Sequence, residues 1–418
     1  MRRQRVVKLT LAAGMVGLLI LPALVYTQVT GRVLNPRLRQ TYTSLSAAVA
    51  AAAANDTLLV SGTLTDGDAI LDSGTDTPPA GLKIVAGRGL RGTLQVSTCP
   101  ASGAILDVSG RLGALTIQGL RLVVPGGCIG VASSANGNPL TVRGLRIDRA
   151  AGVINGILLV NETGGPFTIE QNVIPSVGGA GGIGIAVDGD TATAITASVK
   201  GNTVGSAGSP TFWGILVNDI PLTSSVTVER NRVDGGNNAS STAGILVFDS
   251  DGVIVRRNTV RNFVGTAAAQ DAFGIGIDES SNTQVLRNVI ANNDTGVVVD
   301  DNTTPGTETA DTVVINENNI TSTVTNATGL LFIPDAAATA PLDATNNWWG
   351  AANGPRDDDA DTTDCPEATP PGCTTPPTAE GGGLPVAVGP SVANDCGTTA
   401  GTVTTCPFRT APVSPAGA

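Results

Sequence analysis

The sequence predicts an all-β chain wound as a parallel β-helix solenoid, and three observations predict it. Two independent residue patterns recur with one shared period of about thirty residues, the signature of a stacked repeat. Each period holds short β-prone runs, and no 3.6-residue apolar periodicity competes with them. The composition is apolar but poor in aromatics: of 418 residues 41% are hydrophobic, 3% aromatic and 14% charged, and 53 are glycine. Such a chain is too apolar to be disordered and too poor in aromatics for most compact enzymes.

The N-terminus reads as a targeting segment. Arg2, Arg3, Arg5 and Lys8 precede an apolar run from Leu9 to Tyr26. A basic start followed by an apolar stretch marks export, so residues 1–30 are expected to be a signal peptide or an N-terminal anchor. Val25 and Thr27 before Gln28 make a poor cleavage site, and cleavage and anchoring both stay open. Membrane contact is expected only through this segment, and the protein is expected to be secreted or cell-surface.

The repeat occupies residues 40–355. Its first pattern is a glycine followed by apolar residues, at Gly156, Gly184, Gly214, Gly244, Gly274, Gly296 and Gly329. Its second is an apolar run ending in asparagine, at Asn172, Asn202, Asn231, Asn258, Asn288, Asn318 and Asn346. Each piece is too short to form a sheet alone, and stacking on its equivalent in the next turn buries it. Leu58–Val60, Ala104–Val108, Leu115–Leu122 and Leu140–Ile147 read as less regular coils. About ten coils at ~4.8 Å would make a rod of roughly 50 Å. The seven asparagines are expected to hold left-handed corners and to form an in-register amide ladder.

Cys99 and Cys128 are one period apart, which would let them bridge adjacent coils. Cys365, Cys373, Cys396 and Cys406 fall in a tail, residues 356–418, rich in Cys, Pro, Gly and Thr. The tail spacings do not fit zinc and no histidine could complete a site, so disulfides in an irregular tail are expected. Leu384-Pro-Val-Ala-Val is the tail's apolar island. It is expected to add a strand or to pack along Leu216 and Leu246.

These repeats resemble those of right-handed parallel β-helix proteins, the pectate-lyase-like superfamily. Asn346-Asn347-Trp348-Trp349-Gly350, followed by Gly354-Pro355, is similar to the closing coil of secreted bacterial members. The resemblance spans residues 40–355, with Cys406-Pro407-Phe408 as a last strand. It is specific for fold and poor for function, because this fold hosts lyases, hydrolases, epimerases and non-catalytic surface proteins. The chain has no histidine, which removes the Gly-His-Gly hydrolases and disfavours the epimerases. Pectate lyase-like members need only calcium carboxylates and a basic side chain, and so survive.

Candidate site residues fall in columns. Glu162, Asp188, Asp190, Asp219, Asp249, Asp251, Asp278, Glu279, Asp300 and Asp301 follow the glycine strands. Asp249, Asp278, Asp300 and Asp301 are the candidate calcium ligands, since a hard cation relieves stacked carboxylates; ordinary turn-forming aspartates are the simpler reading. Arg230, Arg257 and Arg287 precede the asparagine in three consecutive coils, and stacked guanidiniums suit a uronate or sulfate. Trp213 and Phe273 sit two coils apart, a spacing compatible with sugar stacking, yet alternation puts them with Ile215 and Ile275 towards the core. Leu158, Ala186, Leu216, Leu246, Gly276, Val298 and Leu331 should point outward as an apolar stripe, the mark of a contact surface. The formal net charge of -11 argues against nucleic acid as a partner. The leading expectation is a monomeric, exported, non-catalytic scaffold that binds carbohydrate. The alternatives are a calcium-dependent lyase of uronic-acid polymers and a structural module that oligomerises through the stripe.

Overall fold

The computed structural model describes residues 31–87, 92–190, 192–265, 272–300, 312–325, 327–333 and 342–350, with 356–357, 385–388, 403–404 and 409–413. The basic and apolar leader, Asp301, Cys365, Cys373, Cys396 and Cys406 lie outside the described residues.

Each coil visits three sheets in turn. One coil runs through Trp213–Ile220 in a first sheet, Ser225–Glu229 in a second and Arg232–Asp234 in a third. The next repeats the path with Ala243–Ser250, Ile254–Arg256 and Thr259–Arg261. The strands of these coils pair in parallel with their equivalents: Leu216 with Leu246, Val228 with Val255, Val233 with Val260. Among the described residues the sheets hold 11, 14 and 10 strands, wound into about 9 turns, one fewer than the repeat count implied. The chain is thus an all-β parallel β-helix.

The core is a set of stacked apolar columns. Ile185, Ile215, Ile245 and Ile275 are wholly buried from the first sheet, Val228, Val255 and Val285 from the second, and Val204, Val233 and Val260 from the third. Coil stacking alone buries these small β-branched side chains, so the rod has little use for aromatics. The repeat glycines have a steric reason. A Cβ on Gly244 would lie 2.2 Å from Val260 Cγ1 and 2.4 Å from the Gly274 carbonyl oxygen. Only glycine fits where the first sheet approaches both its own third-sheet strand and the backbone of the next coil.

The asparagine ladder occupies the corner between the second and third sheets. Asn172 Nδ2 and backbone N donate to Asn202 Oδ1 at 3.0 and 2.9 Å, and Asn202 Nδ2 also donates back to the Ile169 carbonyl at 2.9 Å. The same bonds recur through Asn231, Asn258, Asn288 and Asn318. The last rung is Asn347, whose Oδ1 accepts from Asn318 N and Nδ2 at 2.8 and 3.0 Å. Asn346 is exposed and off the ladder, which corrects the register read from the repeat. The left-handed residue is likewise the one before each rung: Gln171, Arg230, Arg257, Arg287, Glu317 and Asn346 have φ of 53–59°. The corner puts its strained backbone outside and its amide inside.

Both ends differ from the repeat. Arg32–Asn35 forms an antiparallel hairpin with Gln40–Tyr42 and pairs antiparallel with Thr57–Ser61. A short helix, Leu45–Ala50, is capped by Ser44 Oγ, which accepts from Ala47 N at 3.2 Å, and buries Leu45, Ala48 and Val49. This alanine-rich segment carries no repeat signal and was missed by the periodicity. At the other end, two pieces of the tail extend the first and second sheets, and a third reaches the last rung of the ladder. Pro385–Val388 pairs with Thr328–Ile333, Val403–Thr404 with Leu342–Asp343, and Arg409 N donates to the Asn347 carbonyl at 2.9 Å. The tail therefore adds a coil beyond Asn346–Gly350, so that motif does not close the rod. Val386 and Val388 continue the first sheet beside Leu330 and Phe332 and do not lie along Leu216 and Leu246. Near the N-terminal end a disulfide joins Cys99 and Cys128 across adjacent coils, Cα atoms 5.4 Å apart.

The ladder separates two neighbouring asparagines by experiment. Asn258→Ala leaves Asn231 N and the Val228 carbonyl without their buried partners and should destabilise by about 2–4 kcal/mol, at ~1–3 kcal/mol per unsatisfied group. Asn346→Gly, at φ 57°, should change stability by less than about 0.5 kcal/mol. Chemical denaturation of the two variants measures both.

Candidate functional site

The outer face of the first sheet gathers most of the candidate residues. Side chains alternate along its strands, so Ile215 and Val217 enter the core while Leu216 and Asn218 face out. Leu158, Ala186, Leu216, Leu246, Gly276, Val298 and Leu331 share one register column. The stripe is outward, as alternation requires, yet half-buried rather than open: among the described residues the exposed large hydrophobics are Leu38, Leu112 and Leu222. Neighbouring coils ~4.8 Å apart cover one another's side chains.

Phe273 belongs to this outer face. A Cβ on Gly276 would lie 2.4 Å from Phe273 Cε2 and 3.0 Å from Leu246 Cδ1, so the ring rests over the glycine of the outward column. This corrects the expectation that Phe273 shares the side of Ile275. Gly274 and Ile275 both face inward, since a Cβ on Gly274 would meet Ile290 Cγ2 at 2.8 Å and Ile275 is fully buried. Two successive inward residues break the alternation on which that expectation rests. Trp213 shares the register column of Phe273, is half-buried, and stacks on Phe212 with ring centroids 5.3 Å apart.

Carboxylates line the far edge of the same face. Asp188, Asn218, Phe248, Asp278 and Asp300 form one register row. The next residues, Asp219, Asp249 and Glu279, turn the corner towards the second sheet with φ of 53°, 43° and 46°. Asn218 Nδ2 bridges Asp188 Oδ1 at 2.9 Å and Asp219 Oδ2 at 2.8 Å. Burial, reinforced by the charges of Asp300 and Glu279, pushes Asp278 up to about 6. Burial also raises Asp219, where the Asp188 charge adds to it and hydrogen bonding to Asp249 opposes it. Asp249 is raised by burial, then by its hydrogen bond to Asp219 and the charges of Asp219, Glu279 and Asp251. Asp251 serves a turn, accepting Ser281 N at 3.0 Å and Ser281 Oγ. Among the described residues no three acidic or cysteine side chains are grouped to enclose a metal ion. The carboxylates make a row rather than a cage.

Glu162 departs from the column. It is wholly buried beside the equally buried Arg111, with Arg111 Nη2 3.9 Å from Glu162 Oε2. Arg111 donates to the Asn138 carbonyl from Nε and Nη2 at 3.2 and 2.7 Å, and from Nη1 to the Val108 carbonyl at 3.2 Å and to Ser133 Oγ. Burial pushes Glu162 up and Arg111 down. A register shift between Leu159 and Glu162 takes Glu162 out of the pattern of later coils, and no motif links it to Arg111 in the sequence.

The arginine column sits elsewhere. Arg230, Arg257 and Arg287 occupy the corner between the second and third sheets, one strand of the second sheet away from the carboxylates. They are paired: Arg230 and Arg257 reach Glu229 Oε1 at 2.9 and 3.1 Å, and Arg256 reaches Oε2 at 3.3 Å. Burial opposes the ionised form of Glu229, but the surrounding guanidiniums win and hold it below the usual carboxylate range. Arg287 pairs with Glu317, which Arg409 also reaches at 3.4 Å. The fold thus brings Trp213, Phe273, Asp249, Asp278 and Asp300 to one face and leaves Arg230, Arg257 and Arg287 off it.

The raised Asp278 has a signed consequence. Its protonated form is favoured in the folded state, so the cost of ionising it is absent below 3.8, the ordinary aspartate value, and complete above about 6. Asp278→Asn removes that cost. The variant should melt a few degrees above the parent at pH 8 and with it at pH 3.5, as thermal melts at the two pH values will show.

Residues 130–333 match the sequence family described as right handed beta helix region. A search of curated proteins finds no match. Among solved structures the chain is similar to the periplasmic alginate epimerase AlgG, at 13% identity and a TM-score of 0.32, over 70% of this chain and 81% of that one. A single-substitution mutant of that epimerase gives 12% identity and a TM-score of 0.32 over 70% and 84% of the two chains. Likeness at this level carries no argument. By sequence and by coil topology alike, residues 130–333 are a right-handed β-helix region.

Proposed function

We propose that this protein is an exported, non-catalytic scaffold that binds a polysaccharide chain lengthwise along the outer face of its first sheet. The observation that carries the reading is the seating of Phe273 over Gly276 beside Leu246, within a strip bordered by Asp278 and Asp300. An aromatic and aliphatic strip accepts the apolar faces of sugar rings, and a neighbouring row of carboxylates accepts their hydroxyls. Coils repeat every ~4.8 Å, close to the length of one sugar unit in an extended chain, so a polymer can meet equivalent side chains coil after coil. A lyase would need its base beside the carboxylates, and the paired arginines on the other corner favour a scaffold instead. The Cys99–Cys128 disulfide supports an oxidising, extracytoplasmic location.

The test is direct titration of the full chain with hexamers of glucose, N-acetylglucosamine, glucosamine and a uronic acid, the last with and without calcium. At least one hexamer should bind, and Trp213→Ala with Phe273→Ala should weaken it about tenfold or more, at ~0.5–1.5 kcal/mol per aromatic contact. Binding that survives both substitutions unchanged places the ligand on another surface, and unsaturated products from the uronic-acid hexamer would make the protein a lyase.

A further inference from the structure

The two charged corners of the rod treat their carboxylates differently. At the corner between the second and third sheets and along the third sheet, the acidic side chains are matched by arginine: Glu229 by Arg230, Arg256 and Arg257, Asp234 by Arg261 at 2.9 Å, Glu317 by Arg287 and Arg409. Along the first-sheet face the pattern reverses. The charges that act on Asp219, Asp249 and Asp278 are all carboxylates, and the hydrogen-bond donor placed among them is neutral Asn218. Arginines neutralise stacked acids elsewhere, yet among the described residues none pairs with these three. Side chains in register on successive coils repeat every ~4.8 Å, so this repulsion accumulates along the rod. It is concentrated beside the apolar strip that holds Trp213 and Phe273.

Among the described residues the carboxylates form a row and not a cage. Asp219 and Asp249 are equivalent corner residues on successive coils and Asp278 lies in the adjoining row on the next, so the three supply one carboxylate per coil, complementary to a polymer carrying one positive charge per unit. We propose that the glycan bound on the first-sheet face is cationic, a polymer of 2-amino sugars whose ring ammonium groups lie against Asp219, Asp249 and Asp278 while its rings lie on Trp213 and Phe273. This inference rests on the proposed binding face and names its ligand class. The ammonium groups take the place that arginine holds at the other corner, and desolvation between ring and sheet strengthens each contact. A polyuronate is repelled by the same row.

Calorimetry on the full chain at about pH 6 and low salt, where amine and carboxylate can both carry charge, tests this with three probes. They are the hexamers of glucosamine, of N-acetylglucosamine and of a uronic acid with calcium. The glucosamine hexamer should bind at least tenfold more tightly than its N-acetylated counterpart, and about 1 M salt should erase most of that preference. Asp219→Asn, Asp249→Asn and Asp278→Asn combined should remove the preference, so that the glucosamine hexamer binds no more tightly than its N-acetylated counterpart. If the triple variant does not fold, Asp278→Asn alone, with the salt series on the parent, must show a reduced preference. Equal binding of the two hexamers, or tightest binding of the uronate with calcium, overturns the charge inference and leaves the binding face standing. Failure of all the neutral, cationic and anionic hexamers to bind overturns the face itself.

Discussion

In-register stacking of the coils is the constraint on which everything else in this rod depends, and the buried amide ladder is the interaction that fixes it. From Asn202 to Asn318 each amide uses both N–H groups and both lone-pair directions of its oxygen: Oδ1 takes two donors from the preceding rung, and Nδ2 gives one bond forward and one back. A fully satisfied amide in a dry interior is stable only in that place, because a slip of one residue would bury its polar atoms without partners. The rungs are therefore spaced by 27 to 30 residues.

Once the register is set, chemistry becomes columnar. Inward positions of the regular coils are mostly branched, which gives the valine and isoleucine columns, and the closest approach must be glycine. Outward positions stack as well, so a charge chosen in one coil meets its copy in the next. At the ladder corner that repetition is neutralised within the chain by arginine–carboxylate pairs. On the first-sheet face it is left to stand beside an apolar strip, where burial, reinforced by the charges of Asp300 and Glu279, pushes Asp278 up to about 6. The functional reading follows from that contrast between corners rather than from any one residue.

The repeat, the sheet pairing and the inter-coil disulfide were legible because they depend on period alone. What period could not decide was lost. Asn346 and Asn347 are neighbours, and steps of 28 and 29 residues fit the repeat equally well; only the inward direction of Asn347 tells them apart. Phe273 was assigned to the core by strict alternation, which Gly274 breaks by allowing two inward residues in succession. Glu162 carried the chemistry of the acidic column but a register shift takes it out of line, beside Arg111. The N-terminal hairpin and helix repeat nothing, so no pattern announced them, and of the tail's strands only the one in the apolar island, Pro385–Val388, was legible.

Hydrogen exchange at the ladder tests the central claim most directly. The backbone N–H groups of Asn202, Asn231, Asn258 and Asn288 each donate to the Oδ1 of the next rung, although they lie at a corner and not within a strand. The account predicts that they exchange only through global unfolding, as slowly as the amide of Val247 in the middle of the first sheet. Exchange of Asn231 and Asn258 as fast as that of Leu222, an exposed residue in the turn that follows Trp213–Ile220, would contradict it and leave the strands to hold the register alone.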